Sequence, residues 1–435
     1  MTAVRSDPTL ASAPPPAPLP QQGPPSARPA SFAPMREVRK SLRVKWYRTP
    51  IEKATLWELM ERSDRKGFTQ TLGHIGLAAA LGALTAFFFI QGQWLLFGIF
   101  LWLFGTVRTF LSGPANHELG HGAVFRTPGF NRFFLRILSV LTFWNYNEYR
   151  MSHTYHHRYT LHADGDREVL LPLDPSLHPL VVLEMLTFNL RGMWRQLRFT
   201  IRTAMGRFDS GMKVGAMGST AWIETLADVH PDTYRAAIRL ARVTLLFHAA
   251  VIAVSIATGF WWLAIVITGG NWIGNWYRYF LASTQHAGLR DNIPDFRLCV
   301  RSLRIDPLSS FLYWHMDRHA EHHMYAGVPC YHMAALGREI AWDMPQPRTP
   351  LAAWREMYAA RRRQKTDPDY QFDTPLPPTA NPPMLSEAHV PAPPAGAGAM
   401  AASIGTMDPD DDVEGSLGQG AASKAPHDPS SRGAP

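Results

Sequence analysis

The chain has 435 residues, a formal net charge of +8 and 46% hydrophobic residues. Its two cysteines, Cys299 and Cys330, exclude a disulfide framework and a four-cysteine iron–sulfur or rubredoxin-type module within the chain. Since no dense basic run is interleaved with aromatic residues, the composition argues against nucleic acid as a partner.

Both ends of the chain lack the large apolar residues that a folded core needs. Residues 1–36 are rich in Pro, Ala and Ser, and residues 373–435 in Pro, Ala, Gly and acidic residues. Such segments cannot bury enough apolar surface to offset the entropy of ordering, so we expect disordered tails around one domain of residues 37–372. The first tail does not resemble a secretory signal. Basic residues between Arg36 and Arg48 precede the first apolar stretch and indicate a cytoplasmic N-terminus.

Four apolar stretches are close to the length that crosses a bilayer. Residues 72–90 and 94–110 are separated by a three-residue polar break, with Trp94 and Arg108 expected at opposite interfaces. Residues 243–260 and 261–280 form a second pair, although Gly269, Gly270 and Asn271 interrupt the latter. The pattern predicts four transmembrane helices in two hairpins. The alternative is buried hairpins in a soluble bundle.

Histidines recur at helical spacing in three places. The pairs and triplets are i, i+4 or i, i+3, i+4, which place imidazoles on one helical face. The members are His117 and His121; His153, His156 and His157; and His319, His322 and His323. The predicted topology brings all three clusters and His286 to one side of the membrane. A polar loop with His162, Asp164, Asp166 and Glu168 follows the second cluster.

The eight clustered histidines are too many for one ion, because a catalytic zinc takes three protein ligands. Neutral imidazole suits zinc, copper, iron and nickel. The sequence therefore predicts an all-α integral membrane protein with a cytoplasmic helical cap that holds a histidine-rich di-metal site. His74 and His248 lie alone within apolar segments, where a hydrogen-bonded packing role is favoured over a functional one.

The three clusters resemble the HxxxH, HxxHH and HxxHH boxes of the membrane-bound fatty acid desaturase and hydroxylase superfamily. The matching segments are His117-Glu118-Leu119-Gly120-His121, His153-Thr154-Tyr155-His156-His157 and His319-Ala320-Glu321-His322-His323, and the resemblance extends over about residues 45–351. It implies two non-haem iron ions, O2 as oxidant and electrons from a separate ferredoxin, rubredoxin or cytochrome b5 type of donor. It also implies that the eight box histidines and His286 bind the metals, with no further catalytic side chain.

Four other side chains near the boxes are candidates for an extra ligand or for a supporting contact. His315 lies four residues before His319, so a continuous helix could aim it at the site. Glu118, Asp317 and Glu321 could accept hydrogen bonds from ligating histidines. Ala282 stands where some relatives carry an asparagine that contacts iron through water, so this chain departs from the family there.

The resemblance implies oxidation of an unactivated aliphatic C–H, with desaturation of a fatty acyl chain in a lipid as the first expectation. Hydroxylation of a lipid, carotenoid-like or small apolar substrate is the alternative outcome. The first box is also HExxH, the zinc motif of an intramembrane metalloprotease, and a histidine-lined metal transporter is a further alternative. We expect a multi-pass protein of a bacterial cytoplasmic membrane, with both termini and the active site cytoplasmic.

Overall fold

The computed structural model describes residues 32–171, 173, 175–207 and 226–386. These residues are mainly helical, and their β-structure is limited to isolated bridges. Most of both predicted tails lies outside the described residues. Residues 373–386 are described, and their backbone bonds the core: Met384 N donates to Asp295 Oδ2 at 3.0 Å and Asn381 N to Asp343 Oδ1 at 2.7 Å. Packing therefore continues beyond residue 372.

The helices number seventeen in the described part of the chain. They are α1 Met35–Ser41, α2 Lys53–Leu59, α3 Asp64–Ile90, α4 Trp94–Ser112, α5 Pro114–Gly120, α6 Pro128–Leu141, α7 Tyr146–Tyr159, α8 Pro179–Leu186, α9 Leu190–Ala204, α10 Pro231–Thr258, α11 Trp261–Leu263, α12 Trp276–Ala282, α13 Phe296–Cys299, α14 Pro307–Leu312, α15 His319–Met324, α16 Met333–Glu339 and α17 Pro350–Gln364. Short 3-10 or π turns occupy Ala264–Thr268, Gly269–Trp272, Met316–Arg318 and Cys330–His332.

Three of these stretches are long and apolar enough to cross a membrane: Asp64–Ile90, Trp94–Gly120 and Pro231–Thr258. At 1.5 Å per residue, 27 residues span roughly 40 Å, which exceeds a hydrocarbon core of about 30 Å. The first two form the predicted hairpin, and Gly92 in their connecting turn has a φ of 66° that glycine adopts without strain. Their outward-facing leucines and phenylalanines are exposed, as contact with lipid requires.

The fourth predicted membrane helix, residues 261–280, is not one helix. The chain passes through α11, a π turn, a 3-10 turn and then α12. The Gly269–Gly270–Asn271 stretch permits this break, and Arg108 on α4 donates to the Ile267 carbonyl at 2.7 Å in place of a helical partner. Non-helical backbone at membrane depth is tolerated where protein covers it. Residues 264–282 are buried or half-buried, which meets that condition.

Close packing against α4 fixes the broken segment. A Cβ on Gly105 would lie only 2.3 Å from the Ile273 carbonyl oxygen, so the two backbones touch directly. Arg108, which the sequence placed at a membrane interface, is buried and hydrogen-bonded between elements. The broken segment leads into the 283–287 turn that carries His286.

Candidate metal centre

Nine histidines lie together in two groups, and they are the nine that the sequence predicted as ligands. Within each group the nitrogens that face one another all lie within 4.8 Å. The first group is His117, His121, His153, His157 and His322, and the second is His156, His286, His319 and His323. This division fits two ions, each surrounded by four or five imidazoles.

Helical spacing explains how three helices supply eight of the nine histidines. On α5, His117 and the C-cap residue His121 are one turn apart, with ring centroids 4.6 Å from each other. On α7, His153 and His157 enter the first group while His156 enters the second. On α15 the assignment reverses, because His319 and His323 join the second group and His322 joins the first. Helices α7 and α15 therefore each contribute to both groups.

His286 comes from an irregular turn after α12, and a buried ion pair holds that turn. Arg301 donates to the Thr284 and Ala287 carbonyls on either side of His286. Glu356 on α17 in turn accepts from Arg301 at 2.7 Å. The position of His286 thus depends on a C-terminal helix far away in sequence.

Carboxylates support three of the nine imidazoles through their Nδ1 atoms. Nδ1 of His117 lies 2.8 Å from Glu118, Nδ1 of His153 lies 2.9 Å from Glu168, and Nδ1 of His156 lies 2.8 Å from Asp166. A carboxylate on the rear nitrogen fixes the tautomer and orientation of a metal-binding histidine and raises its basicity. The Nε2 atoms of these three rings consequently face inward as acceptors.

Neutral acceptors orient two other imidazoles of the second group, those of His286 and His323. Nδ1 of His286 donates to the Cys299 carbonyl at 3.3 Å. The Thr160 hydroxyl donates to the His156 carbonyl at 2.7 Å, so it accepts from His323 Nδ1 at 3.2 Å. Because both protons sit on Nδ1, the Nε2 atoms of His286 and His323 present lone pairs.

Those lone pairs converge on a volume that suits a cation. His319 Nε2 lies 3.0 Å from His286 Nε2 and 3.2 Å from His323 Nε2. In the first group, the buried Nε2 atoms of His117 and His322 have no hydrogen-bond partner among the described residues. Inward lone pairs and unpaired buried nitrogens are costly unless an ion fills the space. The donor set therefore fits two transition-metal ions.

Burial keeps most of these imidazoles neutral, which is the form that binds metal. It lowers the pKa of His121 and of His286 to about 3. It also places the pKa values of His153, His157, His319, His322 and His323 well below the ordinary range. Burial lowers the pKa of His156 too, but Asp166 opposes it and the net shift is upward.

His315 lies outside both groups. It does not continue helix α15, since its φ of 58° places it in the left-handed region before the Met316–Arg318 turn. Its Nδ1 atom lies 3.1 Å from the Ser310 hydroxyl. A continuous helix could have aimed His315 at the site, but the left-handed residues Trp314 and His315 interrupt the helix before His319.

Of the three candidate carboxylates, only Glu118 contacts a histidine of the groups. Asp317 accepts from Ser310 at 2.7 Å, and Glu321 accepts from Ser302 and lies 3.3 Å from Arg318. The carboxylates that do support histidines besides Glu118 are Asp166 and Glu168. Both lie in the polar loop that follows the second cluster, which the sequence analysis had noted.

The two isolated membrane histidines bridge neighbouring elements. Nε2 of His74 lies 3.0 Å from the Val107 carbonyl, and Trp314 donates to its Nδ1 at 2.9 Å. Nδ1 of His248 lies 2.9 Å from the Thr268 hydroxyl, and its Nε2 lies 3.0 Å from the Val140 carbonyl. Both have the hydrogen-bonded packing role that the sequence favoured.

Comparison with known protein families supports the resemblance that the three histidine boxes indicated. Residues 92–354, more than half of the chain, match the family model described as fatty acid desaturase. None of the curated proteins compared with the chain matches it. The family match includes all nine grouped histidines, and the chain belongs to the fatty acid desaturase family.

Proposed function

We propose that this protein oxidises an unactivated aliphatic C–H with O2 at two histidine-bound iron ions, and that its main product is a double bond in the acyl chain of a lipid. The observation that carries the proposal is the pair of all-histidine groups with carboxylates behind three of the rings. Bound iron would supply the oxidising power. Desaturation balances as R–CH2–CH2–R′ + O2 + 2 electrons + 2 H+ giving R–CH=CH–R′ + 2 H2O.

The protein's own residues would hold, orient and shield the centre. Glu118, Glu168 and Asp166 keep protons on Nδ1 and leave Nε2 of His117, His153 and His156 for the metals. Burial excludes the water that would quench a strong oxidant. The electrons come from a separate donor of the ferredoxin, rubredoxin or cytochrome b5 type, because the two cysteines here are buried and free.

Hydroxylation is the second candidate outcome, because the same centre would serve it. In that case R–H + O2 + 2 electrons + 2 H+ gives R–OH + H2O. The two outcomes differ in the fate of oxygen, which makes isotope labelling decisive. Acyl lipids, carotenoid-like compounds and small apolar molecules all carry suitable C–H bonds.

The position of Glu118 does not suit the alternative that the first box is the zinc motif of a metalloprotease. In a zinc protease the glutamate of HExxH activates water as a general base. Here the Glu118 carboxylate is buried and lies 2.8 Å from Nδ1 of His117, behind the ring. A protease or a transporter also leaves the second group of four histidines without a role.

The test is expression in a desaturase-poor host, followed by lipid profiling under labelled O2. A new double bond without retained label supports desaturation, and label in the product supports hydroxylation. His322→Ala should abolish product while the protein still inserts in the membrane, whereas the control His178→Ala should retain activity. An unchanged lipid profile with active donor present, or one zinc in place of two irons per chain, contradicts the proposal.

A further inference from the structure

A groove of about 800 Å³ opens on the surface beside helix α17, apart from the histidine groups. Its lining includes Leu177, Phe280, Leu351, Trp354, Arg355 and Arg362. The groove is large enough for a substantial part of a lipid. Its lining combines aromatic, aliphatic and cationic side chains.

The groove is amphipathic along its length. Leu351, Arg355, Tyr358 and Arg362 are spaced i, i+4, i+7, i+11, which places them on one face of α17. Eleven helical residues extend roughly 16 Å. Leu351 and Trp354 make one end apolar, and the arginines Arg355, Arg362 and Arg363 give the rest of the helix face a positive charge. A phospholipid carries the same polarity from acyl chain to phosphate.

The walls are held in place without a ligand. Trp354 stacks on Phe280 with ring centroids 5.7 Å apart, and its indole nitrogen donates to the Phe280 carbonyl at 2.8 Å. Across the groove, Leu177 N donates to the Tyr358 hydroxyl at 3.1 Å. Binding therefore needs little reorganisation of the protein.

The cations on the rim are available to an anion. Arg355 and Arg362 are exposed, and the described part of the chain offers neither of them a carboxylate partner. Arg363 lies 3.7 Å from Asp367 and is less available. Guanidinium groups bind phosphate oxygens in a bidentate way, so the rim is complementary to a phosphate.

The neighbouring surface indicates a lipid rather than a soluble anion. Leu177 lies just before α8, an apolar helix with no buried residue. Leu180 and Leu183 on α8 are each 57% exposed, and Leu351 is 62% exposed. Such leucines would face water unless this surface meets acyl chains.

We propose that the groove beside α17 binds an anionic phospholipid, with its phosphate on Arg355 and Arg362 and an acyl chain along Leu351, Trp354 and Phe280. This proposal goes beyond the oxidation proposed above, since binding requires neither iron nor O2. Trp354 belongs to the same buried cluster as Ala287, the residue after His286.

Native mass spectrometry of the full chain in detergent, titrated with phosphatidylglycerol or phosphatidylcholine, tests the proposal. The wild type should prefer phosphatidylglycerol, and the double variant Arg355→Glu/Arg362→Glu should bind it at least about 10-fold more weakly. Binding of phosphatidylcholine should change little. The control Arg304→Glu/Arg338→Glu, which reverses two exposed charges outside the groove, should bind both lipids as the wild type does.

Three results would overturn the proposal. The groove variant could bind phosphatidylglycerol as the wild type does, or the control could lose affinity equally, which would mean general charge attraction. Alternatively, glycerophosphate could compete as well as the intact lipid, which would assign the rim to a free phosphate. Loss of oxidation with intact phosphatidylglycerol binding would count against the proposed function alone and would leave the groove supported.

Discussion

At the scale of single residues, carboxylates orient three of the nine grouped histidines. Asp166 shows this most clearly, because its two oxygens serve different partners. Oδ2 accepts from His156 Nδ1 at 2.8 Å and from Leu161 N at 3.0 Å, whereas Oδ1 accepts from the backbone of Glu168 and Val169. The same residue therefore orients one imidazole and shapes the loop that presents Glu168 to His153.

We expect Asp166→Asn to weaken metal binding by about 10-fold to 100-fold, since an amide neither holds the imidazole tautomer nor raises its basicity as a carboxylate does. Metal content per chain after dialysis against a graded chelator measures the effect. Asp164→Asn provides the control, because Asp164 is exposed in the same loop. Equal metal retention in the two variants would contradict the role given to Asp166.

His315 should be dispensable for metal binding. His315→Asn suits the test, since asparagine tolerates the left-handed conformation that the φ of 58° requires. We expect the variant to keep the wild-type metal content, because His315 lies outside both groups. Elemental analysis of the purified variant would expose the opposite result, a loss of about one ion per chain.

The nine histidines that lie together were predictable from sequence, whereas most of the carboxylates that contact them were not. Spacing along a helix is a local property, so His153, His156 and His157 could be placed on one face directly. Which carboxylate lies behind each ring depends on how loops fold back. Glu321 stands within a box yet contacts Ser302 and Arg318, while Glu168 is fifteen residues from His153 and contacts it at 2.9 Å.

At the scale of elements, the broken segment 261–282 explains how His286 reaches the centre. The apolar composition of residues 261–280 predicted one helix. Composition alone does not show where a side chain of a neighbouring helix can donate to a carbonyl that lacks its helical N–H partner. Arg108 on α4 does this, because one guanidinium nitrogen donates to the carbonyls of Leu141 at 2.8 Å and Ile267 at 2.7 Å. The arginine thereby joins α4, the end of α6 and the π turn.

We expect Arg108→Met to lower the free energy of unfolding by about 2–5 kcal/mol, because hydrogen bonds from a charged group are lost and the part-buried Ile267 carbonyl loses the partner that Arg108 supplies. The Leu141 carbonyl keeps a hydrogen bond from the Asn271 side chain at 3.2 Å. Thermal unfolding in detergent measures the change. Arg136→Met on the exposed face of α6 is the matched control and should unfold within a few degrees of the wild type. A variant as stable as that control would mean that the Ile267 carbonyl finds another partner.

At the scale of the whole molecule, the buried histidines make stability depend on pH. An unfolded histidine has a pKa near 6.5, whereas burial lowers the pKa of His121 and His286 to about 3 in the folded protein. Below pH 6.5 each of these two histidines therefore binds more protons in the unfolded chain than in the folded protein. Each such histidine lowers stability by up to about 1.4 kcal/mol per pH unit as the pH falls.

The metal-free protein should accordingly unfold at a lower temperature at pH 5.5 than at pH 7.5, and bound metal should be released over the same range. Thermal scans at several pH values, with metal content measured in parallel, test both statements. Stability that stays level or rises on acidification would show that the imidazoles take up protons freely in the folded state.

The expected orientation of the molecule rests on the basic N-terminal segment and on the three helices that are long enough to cross a membrane. If the N-terminal basic segment is cytoplasmic, the turn between α3 and α4 lies outside, and the centre lies inside with the start of α2.

Both native cysteines are buried, so an introduced cysteine can be labelled selectively. We expect a membrane-impermeant maleimide to label Gln91→Cys in intact cells, whereas Lys53→Cys should react only after the membrane is opened. Gln91 and Lys53 are both exposed, which makes their reactivity comparable apart from the membrane. Labelling of Lys53→Cys in intact cells would reverse the proposed orientation and place the histidine centre outside.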